Sequence, residues 1–166
     1  MNPIFKRSSV RQFTDESVNI DDIERLMRAA MAAPSAGNQQ PWEFFIARDE
    51  TTRMALAASS PFAGPAKMAP CVIAVCRRTD GLRFPGCAPL DMSAAVENIL
   101  LEAASLGLGA VWLGIYPERD RMAAVSVALG SPRGMEPFAL VAVGHPHHRP
   151  DPKGPTRYDE TRVHWI

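Results

Sequence analysis

The sequence carries no surplus charge of either sign: 18 Lys and Arg balance 18 Asp and Glu, for a formal net charge of zero. Nucleic-acid binding through phosphate neutralisation draws on a basic excess, so the balance argues against that class of partner. Cysteine is scarce, with Cys71, Cys76 and Cys87 only. An odd number without CxxC spacing does not build a disulfide scaffold, and the three read as free thiols of a reducing compartment. Long apolar runs are missing too. The longest, from Met92 to Leu108, is broken by Glu97, Asn98 and Glu102, which disfavours a membrane span. The amino-terminus turns polar at Lys6 and Arg7, without the apolar stretch of a secretory leader, so a cytoplasmic protein is expected. Also absent are a GxGxxG turn after a strand, a P-loop, HExxH and GxSxG. The one histidine cluster, His145-Pro146-His147-His148, has no carboxylate or cysteine close in sequence and reads as a solvated turn rather than a metal site.

What is present is a chain of 166 residues, 46% hydrophobic and 22% charged, which fits one globular domain over residues 1–166. A neutral surface offers little long-range repulsion against self-association. Ile23, Leu26, Met27, Ala30 and Met31 repeat on one face of a helix that Asn19 caps and Pro34 stops. A second helix is expected over 51–59 and a third, apolar nearly all round, from Asp91 to Leu106, ended by Gly107 and Gly109. Pro117 is expected to open a fourth, running to about Leu129. Strands are expected at Trp42–Ala47, Cys71–Cys76, Ala110–Ile115 and Phe138–Val143, with loops over 60–70 and 79–89. Four helices alternating with four short strands make a three-layer domain, α+β or α/β. The tail from His145 to Ile166, rich in proline and ending Val163-His164-Trp165-Ile166, reads as an arm that docks on a second subunit.

Three segments carry chemistry. Arg7-Ser8-Ser9-Val10-Arg11 sets two guanidinium groups and two hydroxyls within five residues, a set suited to anions. Between Pro34 and Trp42, Ser35, Asn38 and Gln40 put donors and acceptors on a turn-rich backbone. Gly107-Leu108-Gly109-Ala110-Val111-Trp112-Leu113-Gly114 is a glycine-framed strand that a flat ligand can approach closely.

In this order and spacing the segments resemble the nitroreductase family of flavin enzymes over essentially the whole chain. The resemblance lies in Arg7-x-Ser9-x-Arg11, the helix ending Ala33-Pro34-Ser35, and Asn38-x-Gln40-Pro41-Trp42. It continues in the helix bearing Asp91 and Glu97-Asn98, in Gly107-Leu108-Gly109-x-x-Trp112, and in Gly144-His145-Pro146. The tail Arg157-Tyr158-Asp159-Glu160 with Val163-His164-Trp165 is similar to that family's carboxy-terminal arm.

The resemblance implies an α+β three-layer fold, a mostly antiparallel central sheet between helices, and a homodimer with a swapped arm (residues 145–166) and one FMN in each interface site. By the same resemblance Arg7, with Ser8 and Ser9, grips the FMN phosphate, Arg157 reaches it from the arm, and Lys153 assists. Arg11 sits near the N1/O2 side of the flavin ring, where reduction places negative charge. Pro34, Ser35, Ala36, Asn38 and Gln40 line the ring or ribityl chain, Gln40 from the partner subunit; Trp112, Leu113 and Gly114 flank the ring. The implied reaction is ping-pong: NADH or NADPH delivers a hydride to the flavin, and a small electron-poor acceptor such as a nitroaromatic or quinone collects it. No side-chain acid or base is required, so no catalytic residue is expected. The alternatives are a specialised member (an enone reductase, a dehalogenase or a flavin-fragmenting enzyme) or a flavin-binding dimer without NAD(P)H turnover.

Overall fold

The computed structural model describes residues 2–148 and 157–166. Four strands, β1 (Trp42–Ala47), β2 (Cys71–Arg78), β3 (Gly109–Gly114) and β4 (Met135–Gly144), form one sheet in the order β1-β2-β4-β3, every neighbouring pair antiparallel. The central strands are rich in Val and Ile, which suits strands covered on both faces, and Cys71 to Cys76 are all fully buried. Around the sheet lie helices α1 (Pro3–Lys6), α2 (Ile20–Met31), α3 (Glu50–Ala57), α4 (Pro65–Met68), α5 (Ala88–Leu106) and α6 (Arg119–Ala128).

Strand alternation builds two cores, because successive side chains point to opposite faces. One face contributes Cys71, Ile73, Val75, Ala110, Ala139, Val141 and Val143 to a core shared with α2 and α5. The other contributes Val72, Ala74, Val111, Leu113, Leu140 and Ala142 to a core shared with Leu56 of α3, Ala66 of α4, and Met122 and Val125 of α6. The fold is thus α+β in three layers, as expected. Large side chains such as Leu26, Ile73 and Ile99 have essentially no exposure. Each contributes about 1.5–3 kcal/mol by leaving water.

Helix α2 begins where Asn19 Oδ1 accepts a hydrogen bond from Asp21 N–H at 3.1 Å. It buries Ile23, Leu26 and Ala30 along one face. Helix α5 ends in a left-handed Gly107, φ +78°, with Leu108 N–H donating to Ala103 O at 2.9 Å and Gly107 N–H donating to Ala104 O. Several expected bounds shift by a few residues, and three of the shifts have a plain cause. The apolar helix starts at Ala88 rather than Asp91 because Pro89 fits its first turn. Pro117 does not open α6: Glu118 N–H closes a turn onto Ile115 O at 3.0 Å, and the helix starts at Arg119. The stretch 60–70 is not wholly loop, since Pro65–Met68 forms the single turn α4.

Both Cys71 and Cys76 are buried free thiols, and Cys87 is half-buried. Desolvation pushes the Cys71 thiol up to about 11 and that of Cys76 up to about 12, so neither is a nucleophile near neutral pH.

Candidate functional site

The amino-terminal segment after α1 is stitched to the sheet. Val10 N–H donates to Ala110 O at 3.0 Å, and Ser9 pairs with Ala110 as a parallel bridge along β3, at the edge of the sheet. Further on, Phe13 bridges Pro146, Thr14 N–H donates to His145 O, and His147 N–H donates to Gln12 O. This close approach requires Gly109: a Cβ there would lie 2.7 Å from Val10 Cγ1. The segment so fixed holds four of the predicted residues. Arg7 Nε lies 3.6 Å from Glu97 Oε1 on α5, and Arg11 Nη1 donates to Ser9 O at 3.3 Å. The Ser8 hydroxyl is buried without a hydrogen-bond partner among the described residues.

Residues 34–41 form a loop whose backbone is left-handed at three places: Gly37 (φ +56°), Asn38 (φ +55°) and Gln40 (φ +46°). Two of these are not glycine, a conformation that costs on the order of 1 kcal/mol each and persists only where surroundings enforce it. The enforcement is visible. The Asp91 carboxylate, buried in the first turn of α5, accepts from Ala36 N–H at 2.9 Å and from Gln39 Nε2 at 2.7 Å. On the other side Arg78 Nη2, at the end of β2, donates to Gln39 O at 2.9 Å and Gln40 O at 3.0 Å. Within the loop Ser35 Oγ accepts from Gln40 N–H at 3.0 Å, and Gln40 Nε2 donates to Asn38 Oδ1 at 3.2 Å. Pro34, Asn38 and Gln40 stay exposed, while Ser35 and Ala36 are half-buried.

Helix α5 brings the two segments onto one element: Asp91 holds the loop and Glu97 meets Arg7 six residues later, about 9 Å along the axis. Asn98 Nδ2 of the same helix donates to Ala29 O at the end of α2. On β3 the predicted residues diverge. The Leu113 side chain is buried in the core on the α6 side, Trp112 is half-buried on the α5 side with its ring 5.8 Å from that of Phe138, and Gly114 is exposed. Arg157 lies in the exposed segment 157–166, and Lys153 falls outside the described residues.

Three residues that position this region, Gln39, Arg78 and Asp91, are not among the site residues that the sequence singles out, whereas Phe84, with Arg83 and Phe62, is one that the sequence offers as a substrate contact. A run of polar loop residues gives no sign of which one turns inward, and Asp91 looks in sequence like a first-turn acid answering the helix dipole. No group of three or more His, Cys, Asp or Glu that could hold a metal occurs among the described residues, and the His147 and His148 rings meet only each other, at 3.2 Å. None of the described helices is long and apolar enough to cross a membrane.

The model of the nitroreductase family matches residues 4–63 and 63–145, a span holding the arginine–serine segment, the strained loop, α5 and β3. The chain belongs to the nitroreductase family. This is a family of FMN-dependent oxidoreductases. Among nitroreductase relatives, a protein of Archaeoglobus fulgidus with the provisional name NADH dehydrogenase/NAD(P)H nitroreductase is 38% identical over 97% of this chain and 94% of its own. The crystal structure of a provisional NADH oxidase from Clostridium acetobutylicum is 40% identical, superposes with a TM-score of 0.92, and is matched over 98% of this chain and 97% of that one. A provisional nitroreductase of Desulfovibrio desulfuricans, solved in complex with FMN, is 30% identical with a TM-score of 0.78 over 89% of this chain and 86% of its own.

Proposed function

We propose that this nitroreductase-family chain works as a homodimer that binds FMN, takes electrons from NADH or NADPH and passes them to small electron-poor acceptors such as nitroaromatics and quinones. One observation carries the reading: a loop strained at Gly37, Asn38 and Gln40, held by buried Asp91, shares helix α5 with a segment of cations and hydroxyls. Strain of this kind collects at binding sites. Relatives named for NAD(P)H and the FMN complex of a 30%-identical structure support it.

The residues present fit the group. Arg7 offers a guanidinium fork, the Ser8 hydroxyl is buried with no partner among the described residues, and Ser9 adds a second hydroxyl. That donor set suits a phosphate monoester. Only one edge of the Arg7 guanidinium meets Glu97, at 3.6 Å, which leaves donors to spare. Arg7, Ser8 and Ser9 would hold the phosphate, joined by Arg157. Pro34, Ser35, Ala36, Asn38 and Gln40 would line the ring and ribityl chain, Gln40 serving the site of the partner subunit, with Trp112, Leu113 and Gly114 along the ring's flank. Leu113 would contribute backbone only, because its side chain is in the core.

Bound FMN supplies a two-electron carrier that accepts hydride from one substrate and releases it to the next. The chain would then have to orient the ring and place charge, and Arg11 would be the cation set against the ring. No general acid or base is needed from the protein.

The dimer reading draws on the arm. In the single chain Trp165 is 92% exposed, and Tyr158 and Val163 are also uncovered, which leaves an apolar tail without a surface to meet. Helix α5 supports the dimer less than its composition suggests. Nine of its residues, from Ala88 to Ala104, are already buried within one chain, and among its large side chains Leu90 stands exposed.

Replacing Arg11 with Ala tests the charge argument. FMN affinity, followed by fluorescence titration, is expected to fall about tenfold, the effect of one charge-assisted contact. Flavin reduction by NADH, followed by stopped flow, is expected to slow as well. Unchanged affinity together with unchanged reduction would remove Arg11 from the site.

A further inference from the structure

Segment 79–87 lies against the strained loop, and the Gln39 side chain ties its backbone there. Gln39 Oε1 accepts from Phe84 N–H at 2.9 Å, while Gln39 Nε2 donates to Phe84 O at 3.0 Å and to Asp91 Oδ2 at 2.7 Å. The amide thus pairs with both backbone groups of Phe84, as a neighbouring strand would, and buried Asp91 fixes which way it faces. The Phe84 ring packs on Gly37: a Cβ there would come within 2.6 Å of Phe84 Cε2. The Arg83 guanidinium lies over that ring, 5.1 Å from its centroid. Arg83 is exposed, and among the described residues no carboxylate forms a salt bridge with it.

We infer that Gln39 clamps Phe84 and Arg83 onto the strained loop as one wall of the reactant site, and that this wall selects planar aromatic acceptors bearing an anionic group. The exposed part of the Phe84 ring and the guanidinium over it match a ring with a carboxylate substituent, through ring contact and charge together. The same cation would repel a cationic acceptor. Held by two hydrogen bonds to its backbone, Phe84 presents this pair in one place instead of sampling the freedom of a glycine- and proline-rich loop. This assignment rests on the proposed flavin-lining role of residues 34–40. It adds a selectivity that this role does not itself require.

The test uses FMN-loaded protein with 4-nitrobenzoate and its neutral counterpart 4-nitrobenzamide as acceptors, and NADH and NADPH as donors. The native protein is expected to favour nitrobenzoate. In Arg83→Ala the ratio of kcat/KM for nitrobenzoate to that for nitrobenzamide is expected to fall about fivefold, near the upper end for an ion pair open to solvent. Calorimetric titration of the oxidised protein with benzoate, which is not reduced, is expected to show the same loss of affinity. In Gln39→Ala, hydrogen exchange at the Phe84 amide of the flavin-free protein is expected to quicken about fivefold, and the acceptor ratio to fall with it. An acceptor ratio untouched by Arg83→Ala, in protein that takes up FMN and is reduced by NADH, would overturn the wall and leave the proposed function standing. A fall in NADPH use relative to NADH with the acceptor ratio unmoved would overturn it equally, by moving the anion to the donor. Protein that takes up no FMN would instead remove the functional reading, and the wall with it.

Discussion

Replacing Asp91 with Ala is expected to cost about 3 kcal/mol of stability and to abolish most FMN binding. The carboxylate is buried and accepts two hydrogen bonds, from Ala36 N–H at 2.9 Å and Gln39 Nε2 at 2.7 Å. Its removal leaves Ala36 N–H without its acceptor and Gln39 Nε2 with Phe84 O alone, in a region partly shielded from water. A hydrogen bond to a charged group is worth about 1.5–3 kcal/mol, and stranding a buried donor costs about 1–3 kcal/mol more. Part of that returns when the loop relaxes, because the left-handed geometry at Asn38 and Gln40 is released with its anchor. The relaxed loop no longer presents the surface that FMN would meet, so affinity falls more than stability alone explains. Asp91→Asn separates the two effects. It keeps the shape and one acceptor but sets an NH2 group against a neighbouring donor, and an intermediate loss is expected. Urea unfolding of the flavin-free protein reads the first quantity and FMN titration the second. Wild-type stability with wild-type affinity in Asp91→Ala would show that the loop does not depend on this carboxylate.

Gly109→Ala is expected to destabilise the protein by about 2 kcal/mol, within the range for overpacking a filled site. The new methyl would sit 2.7 Å from Val10 Cγ1 and 2.8 Å from Val10 Cβ. Relief requires segment 9–10 to lift from β3, which gives up the bond from Val10 N–H to Ala110 O. Ser9 lies in it and Arg7, Ser8 and Arg11 flank it, so FMN affinity is expected to fall in parallel. Gly64→Ala serves as the control: nothing lies within 4 Å of a Cβ there, and its φ of −46° suits any residue. A Gly109→Ala protein as stable as the Gly64→Ala control would mean that the amino-terminal segment is not docked as described.

Much of the fold is legible in the sequence because burial and periodicity agree. The i, i+3, i+4 repeat of α2 matches its buried Ile23, Leu26 and Ala30, and the apolar runs at 42–47, 71–76 and 138–143 all fall inside strands. The helices that escape notice, α1 and α4, are four residues each, too short for a period to register. The site is legible in its exposed chemistry, where Arg, Ser, Asn and Gln cluster, but not in what holds it. Gln39 and Gln40 are adjacent and identical in composition, yet Gln39 points inward to Asp91 and Phe84 while Gln40 stays exposed. That difference follows from the left-handed turn at Gly37 and Asn38 and from partners 45 to 52 positions away, which local pattern does not reveal. Arg78 is hidden for the same reason, since its two carbonyl acceptors lie 38 and 39 positions earlier in the chain.

The function proposed for this chain is electron transfer from a nicotinamide to an acceptor by way of FMN. The visible spectrum of the purified protein, taken up with FMN and then given NADH or NADPH without oxygen, tests it most directly. A yellow protein is expected, one that bleaches on addition of either nucleotide and regains its colour when a nitroaromatic or quinone is added. Protein that stays colourless after exposure to FMN, or whose bound flavin neither nucleotide bleaches, would contradict that function.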